Sequence, residues 1–273
     1  MEISEIIKLA LAEDIGSGDV TSRYLDLDPV STQAFMIAKA AGVLAGVDIA
    51  KQVFKTIDPD LRITIYRKDG DHVKPKEEIL RVEGKAASIL QGERTALNFL
   101  QRLSGIATQT RSMADQLKGT NTRLLDTRKT TPLLRGLEKY AVRVGGGFNH
   151  RFGLYDMIML KENHIRSCGT ITEAVRRIRM HNTSYKVEVE VTNAEELAEA
   201  VACGVDRVML DNMDLPSIRT AVKKYGKKVE LEISGGITAD NIKSYARAGV
   251  HFISSGSLTH SYRSLDISLL FKE

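Results

Sequence analysis

The chain has 273 residues, 42% of them hydrophobic and 27% charged, with a net charge of +4. That is material for one barrel-sized domain or two smaller ones, and it argues against a disordered chain. The absence of Trp, the 5% aromatic content and the lack of a Lys/Arg-rich tail argue against a nucleic-acid partner, and no apolar run nears the roughly 18 residues of a membrane helix.

In chain order, Ile3, Ile6, Ile7, Ala10 and Leu11 stand at helical spacing, with Ser4 as a candidate cap. The acids Glu2, Glu5, Glu13 and Asp14 in this stretch are unlike a secretory leader, so the expected compartment is the cytoplasm. Strands are predicted over 33–40, 61–66 and 78–82, and a helix over 48–57. Asp69-Gly70-Asp71 is a turn. From residue 87 an apolar stripe (Leu90, Ala96, Leu97, Leu100, Leu103) predicts a long helix. Ser104-Gly105 is expected to break it before a second helix that ends near Leu117. A domain boundary is placed there, with 1–105 as an α/β domain and 106–264 as the second domain. Residues 265–273 form a last helix or return to the first domain.

After Leu124 short apolar strands alternate with helices. Strands are expected over 124–126, 156–161, 186–191, 207–211, 229–234 and 250–255, and helices over 194–202 and 215–225 among others. Glu190, Asp211, Gly235 and Gly256 recur at intervals of 21, 24 and 21 residues. Repeating βα units of this length mean a parallel barrel or an open parallel sheet, with six strands where a full barrel has eight. Cys168 and Cys203 stand at no metal-binding spacing and read as reduced thiols.

In α/β barrels the reactive groups stand where strands end. The first two units supply cations: Arg128, Lys129, His150, Arg151 and Lys161, with Arg94 on the preceding helix. Each alone reads as a solvated charge, but together they predict a strongly anionic ligand, because Arg binds carboxylate and phosphate in a fork and Lys acts as a point charge. The next ends are acidic, Glu190 and Asp211, with Glu188 one layer deeper. Such a pair serves a divalent cation, ribose hydroxyls or a developing positive charge, or else simply neutralises the cations. The last ends are Ser234-Gly235-Gly236 and Ser255-Gly256-Ser257, whose glycines let backbone N–H groups approach a phosphate, aided by the helix that follows.

Asp126-Thr127-Arg128-Lys129-Thr130-Thr131-Pro132, Tyr140-Ala141-Val142, Gly145-Gly146-Gly147, Asn149-His150-Arg151 and Lys161-Glu162-Asn163-His164 together resemble the signature of quinolinate phosphoribosyltransferases. The likeness extends to Glu93-Arg94-Thr95-Ala96-Leu97-Asn98, residues 103–108, Glu188-Val189-Glu190-Val191, Met209-Leu210-Asp211-Asn212 and Ser234-Gly235-Gly236-Ile237. Leu133, Ser255 and Ser257 depart from the family pattern. The resemblance implies an N-terminal α/β sandwich followed by an open six-stranded parallel α/β barrel. It implies a homodimer with shared active sites and Arg94 reaching the partner's mouth, and it leaves room for larger assemblies built from that dimer. It further implies that quinolinate and phosphoribosyl pyrophosphate react, with Mg²⁺, to nicotinate mononucleotide, pyrophosphate and carbon dioxide.

By the same likeness Arg94, Arg128, His150, Arg151 and Lys161 take the quinolinate carboxylates, and Lys129 and Lys161 meet the pyrophosphate. Ser234, Gly235, Ser255 and Gly256 hold the 5-phosphate. Glu190 and Asp211 bind ribose hydroxyls near the Mg²⁺. Three rival readings remain at this stage: a nicotinate or other anionic acceptor, a phosphosugar isomerase or synthase, and a non-catalytic phosphometabolite binder. His164, His260 and Tyr140 are left as structural.

Overall fold

The computed structural model describes residues 2–181 and 184–272. In chain order the elements are α1 (Ile3–Ile15), α2 (Val20–Tyr24), β1 (Ser31–Ala38), β2 (Gly42–Val43), α3 (Val47–Ile57), β3 (Arg62–Ile65), β4 (His72–Val73), β5 (Glu78–Lys85), α4 (Ala86–Asp115), β6 (Arg123–Leu125), α5 (Arg135–Val144), β7 (Ile158–Leu160), α6 (Glu162–Cys168), α7 (Ile171–Arg179), β8 (Val187–Val191), α8 (Ala194–Ala202), β9 (Arg207–Asp211), α9 (Leu215–Tyr225), β10 (Glu230–Ser234), α10 (Ile242–Ala246), β11 (Phe252–Ser254), α11 (Ser257–His260) and β12 (Ile267–Phe271). They form two compact units. The first contains the chain up to Arg111, then Thr131–Gly146 and the stretch from Tyr262. The second contains Ser112–Thr130 and Gly147–Ser261.

In the first unit an antiparallel sheet runs β12-β1-β5-β3. The alternation of Ala34, Met36 and Ala38 buries one face of β1, while α1 and α3 present Ile7, Leu11, Val53 and Phe54 to the core. The C-terminal segment is the strand β12, not a helix. It pairs with β1 from Ala34↔Phe271 to Ala38↔Ile267, burying Ile267 and Leu269.

Two local expectations are corrected here. Ser4 lies inside α1, whose N-cap is Glu2 with no side-chain cap. Helix α4 also does not break at Ser104-Gly105 but runs unbroken for 30 residues. Gly105 is there for close approach: a Cβ on it would collide with the carbonyl of Arg263. Its neighbours serve structure too, since Ser104 Oγ accepts from Ala45 N–H (3.0 Å) and Thr108 Oγ1 from Val43 N–H (2.9 Å).

The second unit holds six parallel strands in the order β6-β11-β10-β9-β8-β7. Capping explains where its helices start. Thr170 accepts from Glu173 N–H, Asn193 from Glu196 N–H and Asp214 from Ser217 N–H, and Pro216 fits the first turn of α9. On β8 the alternation sends Val187, Val189 and Val191 to one face and Glu188 and Glu190 to the other. On β10 it likewise separates Leu231 and Ile233 from Glu230, Glu232 and Ser234. The apolar face is buried, and the interior of the open barrel is lined by charge.

Candidate functional site

The carboxyl ends of the six strands surround a cavity of about 910 Å³ in the second unit. Arg128, Lys129, His150, Arg151, Lys161, Glu190, Asp211, Ser234, Gly235, Ser255 and Gly256 all line it. Arg94 does not. It is an exposed residue of α4, in the other unit.

The cationic side is built by one anchor. Asp126, fully buried at the end of β6, accepts from His150 N–H (2.9 Å) and from Asn149 Nδ2 (2.5 Å). Phe148 N–H donates to Leu124 O, and Asp126 N–H to Phe148 O, so loop 147–151 is stitched along β6. Asp126 therefore works as a brace for the cations. Arg128 is half-buried, and its Nε is buried without an acceptor among the described residues. A donor stranded in this way is satisfied by an anion arriving in the cavity. Arg151 Nη1 donates to Met157 O (3.1 Å). Burial lowers the guanidinium's pKa, and the neighbouring charge of Arg128 lowers it further. Lys129 is exposed, and its carbonyl accepts from Thr259 Oγ1 (2.8 Å).

Across the mouth Lys161 Nζ meets Glu190 Oε2 at 2.5 Å. Asp211 accepts from Asn212 Nδ2 (2.9 Å), and its pKa is raised, first by burial and then by the Glu190 charge. Two adjacent carboxylates with an open side fit a divalent cation such as Mg²⁺, which is commonly held by one or two carboxylates plus substrate oxygens.

The Gly/Ser ends are loops at strand ends, as expected. The helical contribution is corrected, because α10 and α11 have only five and four residues and supply little dipole. The cradle is backbone. Gly235 has φ +97 and Gly236 φ +60, and a Cβ on Gly235 would collide with Asn212 Oδ1. Ser255 is buried, linking Ile237 O (2.9 Å) and Ser257 Oγ (2.8 Å), so it ties the two loops together.

One layer below the mouth lies a group that strand-end reasoning does not reach. Glu188 and Glu232 are both fully buried. His150 Nε2 stands 3.1 Å from Glu188 Oε2 and 3.5 Å from Glu232 Oε1, while Arg207 Nη1 stands 3.1 Å from Glu232 Oε2. Arg207 is itself fixed over the Phe252 ring at 3.8 Å. Burial pushes both carboxyls well above the usual carboxylate range, and for Glu232 the nearby Glu188 adds to it. Glu232 was absent from the sequence reading, although alternation back from Ser234 puts it on the inner face. Of the residues left as structural, Tyr140 donates to Asp69 (2.6 Å) and His164 Nδ1 accepts from Lys161 N–H (3.1 Å). His260 does line the cavity, with its Nδ1 2.6 Å from Ser261 Oγ.

Two family models match the chain: the quinolinate phosphoribosyl transferase N-terminal domain over residues 19–104, and its C-terminal domain over residues 106–270. A probable carboxylating nicotinate-nucleotide pyrophosphorylase of Bacillus subtilis is 44% identical over 98% of this chain and 93% of its own. A chloroplastic carboxylating nicotinate-nucleotide pyrophosphorylase of Arabidopsis thaliana is 42% identical over 98% of this chain and 82% of its own. The solved structure of a nicotinate-nucleotide pyrophosphorylase from Francisella tularensis superposes with a TM-score of 0.95 at 43% identity, covering 99% of this chain and 96% of that one.

Proposed function

The chain belongs to the quinolinate phosphoribosyltransferase family and transfers a phosphoribosyl group to quinolinate with loss of carbon dioxide; we propose that the two sides of its barrel mouth divide that work. The product, nicotinate mononucleotide, places the reaction in NAD biosynthesis. The observation that carries the division is the buried Arg128 Nε with no acceptor among the described residues, set in the cationic side of a cavity whose other side is acidic.

Arg128, Arg151 and Lys161 take the two quinolinate carboxylates, bidentate where a guanidinium is used. Lys129 and Lys161 face the pyrophosphate. The Ser234-Gly235-Gly236 and Ser255-Gly256 loops hold the 5-phosphate through backbone N–H groups. The pyridine nitrogen attacks the anomeric carbon as pyrophosphate leaves, and Glu190 and Asp211 stabilise the positive charge that develops on the sugar. Mg²⁺ held by Glu190 and Asp211 would supply charge neutralisation for the leaving pyrophosphate. Once alkylated, the ring nitrogen is cationic and takes up the electron pair of the adjacent C–C bond as the neighbouring carboxylate departs as carbon dioxide, and the carbanion left on that ring carbon takes a proton from water. Much of the rate then comes from positioning and field, without a covalent enzyme intermediate.

The proposal extends to a homodimer, and to larger assemblies built from it, in which Arg94 reaches the partner's mouth. Its support is the exposed Arg94, together with the exposed apolar Phe152, Leu154 and Tyr155. The free Cys168 and Cys203 suit a reducing cytoplasm, and no helix among the described residues is long and apolar enough to cross a membrane.

The test is to supply the purified protein with Mg²⁺, phosphoribosyl pyrophosphate and either quinolinate or nicotinate. Nicotinate mononucleotide formed from quinolinate, and only weakly from nicotinate, supports the proposal. Preference for nicotinate would assign the cations to a different acceptor.

A further inference from the structure

We propose that Glu188 and Glu232 are positioning residues for quinolinate recognition, holding the His150 ring and, through it, the backbone that carries Arg151. This rests on the assignment of Arg151 to the substrate carboxylates, given above.

The argument begins with His150. Its Nδ1 accepts from the backbone N–H of Arg151 at 2.7 Å. A ring nitrogen that accepts carries no proton, so the ring proton is on Nε2. That nitrogen lies 3.1 Å from Glu188 Oε2 and 3.5 Å from Glu232 Oε1. Although His150 borders the cavity, its nitrogens turn toward protein. It functions as a strut between a carboxylate floor and a substrate-binding arginine, much as a metal-bound histidine is oriented by the carboxylate behind it.

The floor is itself fixed. Arg207 Nη1 donates to Glu232 Oε2 at 3.1 Å, and its Nη2 to Glu230 on the same strand at 3.2 Å. Both Glu188 oxygens and Glu232 Oε1 are buried without a hydrogen-bond donor among the described residues, so the His150 ring is the group that stands against them. Asp126 holds the same loop from β6 through His150 N–H, so the segment 149–151 is clamped from two directions. The ligand atoms of His150, Glu188 and Glu232 lie within 4.8 Å of one another, close enough for a metal ion. Arg207 already occupies one side of Glu232, however, at 3.1 Å.

The experiment compares Glu188→Ala, Glu188→Gln and Glu232→Gln with the unmodified protein. It measures KM for each substrate, and separately the ¹⁵N spectrum of labelled histidine, with His150→Gln to assign the ring. Glu188→Ala should raise KM for quinolinate at least tenfold, leave KM for phosphoribosyl pyrophosphate within about twofold, and shift the His150 nitrogen signals. Glu188→Gln keeps the shape and an acceptor for Nε2–H, and should recover most of both. Equal losses for the two substrates, or no recovery in Glu188→Gln, would overturn the proposal. So would one metal per chain that is lost in Glu232→Gln. If Glu188→Ala does not fold, the same comparison is read from Glu188→Gln and Glu232→Gln, whose unchanged histidine spectra would equally overturn it. The spectrum does not depend on turnover. A clear histidine effect without quinolinate activity in the unmodified protein would therefore strike the functional reading and leave the strut standing.

Discussion

Two layers of the same barrel use the same side chains differently. At the mouth, Glu190 and Asp211 meet Lys161 and an open cavity. One alternation deeper, Glu188 and Glu232 are sealed with His150 and Arg207. Glu188 and Glu190 are two residues apart on one strand, so neither residue type nor strand position separates them. What separates them is water. A carboxylate at the mouth borders the open cavity, where it is available to a substrate or cation. The buried pair faces a desolvation cost that attraction rarely repays in full, and burial raises both carboxyl pKa values. The mouth is therefore suited to chemistry and the floor to geometry.

The largest test of this contrast is at the mouth. Asp211→Ala should lower kcat/KM by about a hundredfold to a thousandfold, because a charge preorganised for the transition state is lost, with little change in urea midpoint. The floor should respond in the opposite currency. Glu232→Ala should cost about 3 kcal/mol of stability, measured by urea unfolding, since Arg207 and His150 lose a buried partner. Comparable stability loss from both variants would erase the distinction. Arg128→Ala should come next, weakening quinolinate use by about two orders of magnitude with the fold intact. Near-normal efficiency would remove Arg128 from the site. Gly235→Ala should raise KM for phosphoribosyl pyrophosphate by roughly tenfold, since a Cβ there strains a positive φ and displaces Asn212.

The smallest effect is a pH slope. Glu232 faces Glu188 on β8, Arg207 on β9, Ser254 on β11 and His150, and its folded pKa is raised from the ordinary 4.5 to about 7. A raised carboxyl pKa means that the folded chain binds protons the unfolded one has released. The contribution is therefore full below about 4.5 and is lost as pH rises through about 7. Between these limits the unmodified protein should lose stability with rising pH more steeply than Glu232→Gln, as read from urea midpoints at each pH. Parallel curves would mean that the pair is not proton-linked.

The mouth was legible in the sequence because strand ends in parallel sheets project into one place, so Arg128, Lys161, Glu190 and Asp211 could be brought together by counting. The floor was only half legible. Glu188 is placed one layer deeper by alternation from Glu190, but Glu232 stands two residues inside the end of its strand, beyond the reach of a strand-end rule. Its burial depends on Arg207 and His150, which arrive from other elements. Gly105 misled for a related reason. A glycine in a helix can mark a break or a close contact, and here the contact is with Arg263, far along the chain. Likewise, Leu265 and the apolar run after it could not choose between helix and strand until β1 offered an open edge. Arg94 was grouped with the cations by its place on the preceding helix, and only its reach to a partner's mouth came from the family resemblance.

The most direct measurement of the central claim uses quinolinate labelled in the carboxylate next to the ring nitrogen. The account predicts one labelled carbon dioxide released for each nicotinate mononucleotide formed, with both dependent on phosphoribosyl pyrophosphate. Product that retains the label, or carbon dioxide released without phosphoribosyl pyrophosphate, would contradict it.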